Sequence, residues 1–347
     1  MPITESISKT GKSFMNKSDK PGNICAVQKI EIADEAYDQR IDNFLLKRLK
    51  NVPKSHVYQL LRSGQVRVDG KRIRADYRLQ IGNTLRIPPI FLAEKSPDEI
   101  ARVPKKHVAF NVLFEDEALL VVDKPSGMAV HGGSGISFGV IEQLRMQHPT
   151  WKFLELVHRL DRETSGVLML AKKRAALVEL HRQIREALIS KHYQVMVCGH
   201  WSNPVQHVKL ALNKYTTASG ERRVAIVKER NRNEALKPMS AHTIFRLQQS
   251  WKNFSLLDAE LKTGRTHQIR VHLAHLGFPI AGDDKYGDFD TNKQLAKTNH
   301  RFHLPRMFLH AHTLQLTHPI TQQLLRFQSP LPVDLQTFID QLNAVQN

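Results

Sequence analysis

Cysteine is nearly missing from this sequence: Cys25 and Cys198 are the only two among 347 residues. Two distant thiols build neither a disulfide framework nor a zinc site of the usual spacing, so a reduced, cytoplasmic setting is expected. Long hydrophobic runs are missing as well. No stretch approaches the roughly 18 apolar residues that cross a bilayer. Acidic residues are scarce beside basic ones, with 33 Asp and Glu against 51 Lys and Arg, which leaves a formal charge of +18. Such an excess favours a polyanionic partner, because each neutralised phosphate releases counterions. Nucleic acid therefore leads over an acidic membrane surface, and no membrane is taken as a partner.

Histidine is plentiful, at 18 residues, yet no Cys or carboxylate set accompanies it at ligand spacing. His272 with His275, and His310 with His312, read as helix-face, core or RNA-contacting residues, and no metal or cofactor is expected. Residues 1–29 are rich in Ser, Thr, Lys and Gly, contain no apolar core segment, and precede the first arginine, Arg40. They read as a disordered basic tail, not a signal peptide. No heptad seam asks for association, so a monomer is expected.

Between Asp34 and Lys50, Ile41, Phe44, Leu45 and Leu49 recur at helical spacing. A second helix begins near Pro53, carries Val57, Leu60 and Leu61, and stops at Gly64. Val66 and Val68, the turn pair Asp69-Gly70, and two short strands around Leu79 and Leu85 follow. From Lys47 to Arg86 eleven Lys or Arg face only Asp69 and Asp76. A charge run is usually a solvated face, but this density on a helix-turn-strand module favours phosphate contact. RIDNFLLKRL, Lys54-Ser55, LLRSGQVRVDGK and GNTLRIP resemble the RNA-binding domain of the ribosomal-protein-S-four type. That domain is expected over 30–91. Lys54, Arg62, Arg67, Lys71 and Arg72 are its candidate RNA contacts. Residues 92–108 mix Pro with both signs of charge and read as a linker to a second domain over 109–347.

In that domain the stretch Leu156 to Lys173, LVHRLDRETSGVLMLAKK, is the organising one. The run Val167 to Ala171, entered through Ser-Gly, reads as a buried strand, which puts His158, Arg159 and Asp161 on a loop at its mouth. Asp161 has Arg159 and Arg162 as chain neighbours, and a guanidinium nearby keeps a carboxylate ionised, which suits a nucleophile or electrostatic stabiliser. An isolated Arg-x-Asp is more often a surface ion pair. Tyr193, on a strand from Lys191 to Val197, is by itself more often a core or edge aromatic. The polar segment Lys214 to Lys237 reads either as a loop tracking RNA or as a plain hairpin. Lys262-Thr263-Gly264 is expected to break into a helix holding Arg265, His267, Gln268 and Arg270.

Asp-Lys-Pro-Ser-Gly with Val130-His131-Gly132-Gly133, then His158-Arg159-Leu160-Asp161 before Thr164-Ser165-Gly166, Lys191-x-Tyr193, TGRTHQIRVHLAHLGFPIAGDDKYG and RMFLHAHTLQLTHP resemble the pseudouridine synthases of the large-subunit ribosomal RNA type. These are cofactor-free isomerases. The resemblance implies an α+β protein whose catalytic domain is a mixed, largely antiparallel sheet with flanking helices. It makes Asp161 the nucleophile, acting on the ribose anomeric carbon, assisting its cleavage, or attacking the base. It pairs Arg270 with that carboxylate, stacks Tyr193 on the target base as a candidate general base, and has Arg159 fill the space of an extruded uracil. Arg265 and His267 become RNA or cleft residues, and His131 belongs to the first motif. HGGSGISFGVIEQLR with the N-terminal module is most similar to the branch acting on 23S ribosomal RNA, free or in a large-subunit assembly intermediate. Rival readings are a non-catalytic RNA-binding or assembly factor and a synthase acting on transfer RNA or other ribosomal sites. A kinase-like loop fails on order, since the kinase string is His-Arg-Asp with an Asn beyond and a Gly-rich loop before.

Overall fold

A computed structural model describes residues 24–49, 52–91, 108–132, 138–217, 220–227, 238–299 and 301–346. Residues 1–23 of the expected tail, 92–107 of the expected linker, 133–137 of the glycine-rich loop and 228–237 of the polar insertion lie outside the described residues. The chain divides into two compact units, Met1–Ala101 and Arg102–Asn347.

In the first unit, β1 (Ile24–Cys25) falls inside the stretch read as tail, and β2 (Gln28–Glu31) crosses its expected end at residue 29. Strands this short carry no composition signal; they exist because β1 pairs with β6 (Ile90–Phe91) and β2 with β5 (Thr84–Ile87). Helix α1 (Ile41–Arg48) starts late, after a single 3-10 turn at Asp34–Ala36 and a left-handed Asp38 with φ 54°. Ile41, Leu45 and Leu49 are buried on its one face, against Val57, Leu60 and Leu61 of α2 (Lys54–Arg62). Gly64 ends α2 with φ 72°, and its N–H and that of Gln65 cap the carbonyls of Leu61 and Leu60. Asp69 and Gly70, both with positive φ, form the two-residue turn between β3 (Arg67–Val68) and β4 (Lys71–Arg72). The sheet order is β2-β5-β3-β4. Near the buried Leu79 the expected strand shrinks to one bridge, Arg40 with Arg78.

The second unit carries β7 (Asn111–Glu115), β8 (Leu119–Lys124), α3 (Val140–Gln147), β9 (Glu155–Leu156), β10 (Ser165–Ala171), α4 (Arg174–Arg185) and β11 (Ser190–Cys198). It continues with β12 (Val205–Lys209), β13 (Leu212–Thr216), β14 (Arg222–Ile226), β15 (His242–Ser250) and β16 (Phe254–Leu261). Then come α5 (Gln268–His275), α6 (Phe289–Leu295), β17 (Leu309–Thr317), β18 (Leu324–Gln328) and α7 (Val333–Gln346). A ten-stranded sheet runs β12-β15-β16-β11-β17-β10-β8-β7, with β18 on β17 and β9 on β10. Among the described pairs in it only β10 with β17 is parallel, so this is the mixed, largely antiparallel α+β architecture.

Strand β10 is buried at every residue because both faces of the sheet are covered. Leu168 and Leu170 face a core shared with α3 and α5, whereas Val167, Met169 and Ala171 face α4. Gly166 sits where β10 meets β17 at φ 110°, and a Cβ there would lie 2.2 Å from the Ala311 carbonyl oxygen. Only glycine allows that approach, and it is what brings the mouth of β10 against β17, whose other edge carries β11.

Candidate active site

The loop before β10 is pinned from below through its backbone. His158 Nε2 accepts the Met169 N–H at 3.1 Å, and the Thr164 N–H donates to the Asp161 carbonyl at 3.2 Å. Lys124, fully buried at the end of β8, donates to the carbonyls of Pro125, Met128 and Arg162 at 2.8, 2.8 and 3.1 Å. Burial presses its ammonium down to about 7, but three carbonyl acceptors call for three N–H donors, which only the charged form supplies. Ser126 Oγ donates to the Glu163 carbonyl at 2.7 Å. The Lys-Pro-Ser turn of the first motif is therefore the bed on which Asp161 lies.

Asp161 points into a cleft of about 820 Å³ lined by residues of the second unit, within the range of small-ligand sites. Its side chain is 27% exposed, with Oδ2 3.5 Å from Arg270 Nη1 and 3.8 Å from His267 Nε2. The chain neighbours expected to flank it do not. Arg162 bonds Glu163 at 2.7 Å instead, and Arg159 is exposed on the cleft wall. The guanidinium that meets the carboxylate comes from a helix 109 residues away.

Arg270 is itself held. Its Nε and Nη2 donate to the two oxygens of Asp283 at 2.7 and 2.6 Å, and Nη2 also reaches Asp284 at 3.1 Å. Burial opposes the charge on Arg270, and the Asp283 hydrogen bond and charge outweigh it, so the guanidinium stays charged. Asp283, fully buried, also accepts the N–H groups of Lys285 and Tyr286 and is held below the usual carboxylate range against its own burial. This fork fixes Arg270 in plane and leaves Nη1 for Asp161.

Arg265 and His267 lie on a loop, not on the helix. Gln268 Oε1 accepts from Thr263 Oγ and the Arg265 N–H, closing the loop, and His267 caps α5 in the left-handed conformation with φ 52°. His267 Nδ1 lies 2.9 Å from Tyr286 Oη, which accepts the Val224 N–H at 3.0 Å. Through Tyr286 the segment after Lys214 docks on the site as the antiparallel hairpin β13–β14, so of the two readings left open the hairpin holds for its described part. Tyr193, 7% exposed, lines the same cleft. Burial, and then the Asp161 charge, push its phenol up, which opposes a phenolate base near neutral pH. Arg265 and His131 stand on the rim, the latter on a loop tied to Glu142 through the Gly132 and Gly139 N–H groups.

Burial lowers His158 to about 3, and His272 and His310 each to about 4, from an ordinary 6.5. An unfolded chain protonates them near 6.5 while the folded one does not, so the stability they contribute is complete above that pH and lost on acidification toward 4 for His272 and His310 and toward 3 for His158. Stability should therefore fall steeply between about pH 6.5 and 4. In His310→Gln the slope of unfolding free energy against pH should drop by about one proton in that window, which denaturant titrations at several pH values read directly.

In the first unit, Lys54, Arg62, Arg67, Lys71 and Arg72 are all exposed. Arg67 stands opposite Arg72 on one side and Arg86 on the other, and Arg72 hydrogen-bonds the Arg62 carbonyl. Like charges directly opposed in a sheet are unfavourable alone, and a polyanion relieves them. Among the described residues no group of three or more His, Cys, Asp or Glu could hold a metal ion, and no helix is long and apolar enough to cross a membrane.

Residues 118–275 match the family described as RNA pseudouridylate synthase, and residues 39–85 match the S4 domain. The chain belongs to the RNA pseudouridylate synthase family and carries an RNA-binding S4 domain; it is an RNA pseudouridine synthase, an isomerase. It is similar to ribosomal large subunit pseudouridine synthase C of Haemophilus influenzae, at 44% identity over 319 residues, 91% of this chain and 95% of the relative. The enzyme of that name from Escherichia coli (strain K12) is 46% identical over 312 residues, 89% of this chain and 94% of its own. Among solved structures, human RNA pseudouridylate synthase domain containing 4 aligns with a TM-score of 0.53 at 26% identity, over 67% of this chain and 93% of its own. Human RNA pseudouridylate synthase domain containing 1 shares the fold with a TM-score of 0.54 at 24% identity, over 68% of this chain and 89% of its own.

Proposed function

We propose that the protein isomerises uridine to pseudouridine at defined positions of 23S ribosomal RNA, free or in a large-subunit assembly intermediate, as a cytoplasmic monomer. The observation that carries this reading is the Asp161 carboxylate held 3.5 Å from a pinned Arg270 in a cleft rimmed by Arg159, Arg185, Lys214 and Arg265. The ribosomal large-subunit names of both relatives support the substrate.

A uridine stacked in folded RNA does not reach a carboxylate set into a cleft, so the nucleotide is flipped out, at a cost of a few kcal/mol. Arg159, two residues from Asp161 and exposed, fills the vacated space, since a guanidinium stacks and hydrogen-bonds together. Asp161 acts as nucleophile at ribose C1′, aimed by Arg270. Tyr193 closes the pocket against the base as a neutral phenol. His131, Arg265 and His267 contact RNA around the target, and Lys54, Arg62, Arg67, Lys71 and Arg72 hold backbone phosphates from the S4 unit. The uracil leaves through N1 and returns through C5 to the same ribose, so the isomerisation calls for no cofactor.

Tritium release from C5-labelled uridine in unmodified 23S RNA, with the modified positions mapped, tests this. Release from that RNA is expected. No release from any RNA would overturn the reading, and release from transfer RNA alone would overturn the substrate.

A further inference from the structure

We propose that Lys191 is a substrate-contacting residue whose ammonium binds a carbonyl oxygen of the target uracil and offsets the negative charge the base carries while it is detached. This rests on the reading of Asp161 as acting at C1′. Lys191 lies on β11 two residues before Tyr193, so both side chains project from the same face, and both line the cleft that holds Asp161. Only 8% of Lys191 is exposed. Its Nζ lies close to Gly264, where an added Cβ would sit 3.8 Å from it, and it has no hydrogen bond or ion pair with any described residue.

The other cleft cations differ. Arg270 is engaged by three carboxylates, Arg162 by Glu163, and Arg265 by the Ser240 carbonyl. Lys214, Arg185 and Arg159 are exposed, where water solvates them. An enclosed ammonium without a partner is costly, and burial already lowers its proton affinity. A cation left in that condition on a cleft wall is completed by what the cleft binds.

A phosphate is the poorer candidate, since the exposed rim cations already serve the backbone. Two residues along a strand span about 7 Å, so a uracil lying against Tyr193 turns a carbonyl edge toward Lys191. As C1′–N1 breaks, its bonding pair leaves with the base, and the charge spreads from N1 over both carbonyl oxygens while Asp161 Oδ bonds C1′. C5 then attacks C1′ and the carboxylate departs with its electron pair; C5 loses its proton to a base and N1 takes one up. Lys191 stays protonated throughout. Its contact strengthens only while the base is anionic, which is the interaction that lowers a barrier.

The test is Lys191→Met, which keeps the apolar stem and removes the charge, with Lys191→Gln as the second variant should the first not fold. RNA affinity is read by filter binding and chemistry by single-turnover tritium release at saturating RNA. A rate loss of about 100-fold or more with affinity within about threefold is expected. A rate within about threefold of the unaltered protein overturns the proposal. So does an unchanged rate with weakened binding and a salt slope reduced by about 0.7, the mark of a lost phosphate contact. Turnover surviving in Asp161→Asn would instead remove the reading of Asp161, whatever the Lys191 variants do.

Discussion

Asp161→Asn is expected to lower the single-turnover rate by about 10⁴-fold or more while RNA affinity changes less than about threefold. The asparagine matches the carboxylate in shape, and the loop that presents it is held through backbone groups. The Asp161 carbonyl accepts from Thr164, and Lys124 and Ser126 hold the carbonyls of Arg162 and Glu163. None of these changes with the side chain. What is lost is the anionic oxygen beside Arg270 Nη1, the group that bonds C1′ in the proposed mechanism. An amide is a far weaker nucleophile and gives no comparable electrostatic stabilisation to an electron-poor ribose. Tritium release separates this from folding when the two proteins melt alike and bind RNA alike. Turnover within about tenfold of the unaltered enzyme would place the chemistry elsewhere in the cleft.

The strand at the centre was readable in the sequence because it is buried on both faces. A continuous run from Val167 to Ala171 behind Ser-Gly has few other solutions, and β10 lies inside the sheet with a core on each side. The helices of the first unit were readable for the related reason that Ile41, Leu45, Val57 and Leu61 repeat at helical spacing. Contacts set by distant partners were not. Sequence neighbours suggested that Arg159 and Arg162 flank Asp161, yet side chains on a loop point where local backbone sends them, and Arg162 turns to Glu163. Arg270 came from the motif resemblance, with nothing in the spacing to point to it.

The residues that support the site were harder still. Lys124 entered as a letter of the motif Asp-Lys-Pro-Ser-Gly, and lysine is among the side chains least often buried; nothing local says that its three N–H donors meet three carbonyls. Asp283 lies inside a recognised string, but its partner on α5 is thirteen residues back across a turn. The one available signal was an acidic pair, Asp283-Asp284, following an arginine-bearing helix in an otherwise basic chain. Arg265 and His267 were expected on the helix because the apolar positions Ile269 and Leu273 set its period but not its start. The side chain of Gln268 closes the preceding loop and delays it. Helix ends are decided by such caps more than by periodicity.

Asp283→Asn is expected to lower stability by about 3 kcal/mol, because removing one partner of a buried ion pair leaves the other charge uncompensated. Arg270 and Asp283 have side-chain exposures of 4% and 1%, so little solvent screens the loss. Asp284, 67% exposed, is the internal control: Asp284→Asn should cost under about 1 kcal/mol. The catalytic effect follows from geometry. Without the two-oxygen fork, the guanidinium is free to rotate and Nη1 no longer aims Asp161, so the single-turnover rate at saturating RNA should fall about 100-fold. A purely structural Asp283 would reduce only the fraction of folded enzyme, which working well below the melting temperature removes. At temperatures where part of the enzyme is unfolded, that loss would simply add to the loss from Asp161→Asn. A positioning role predicts that the double variant is no slower than Asp161→Asn alone, since aiming a carboxylate matters only while the carboxylate is there. Independent, additive losses in that cycle would mean that Asp283 serves the fold and not the alignment of the nucleophile.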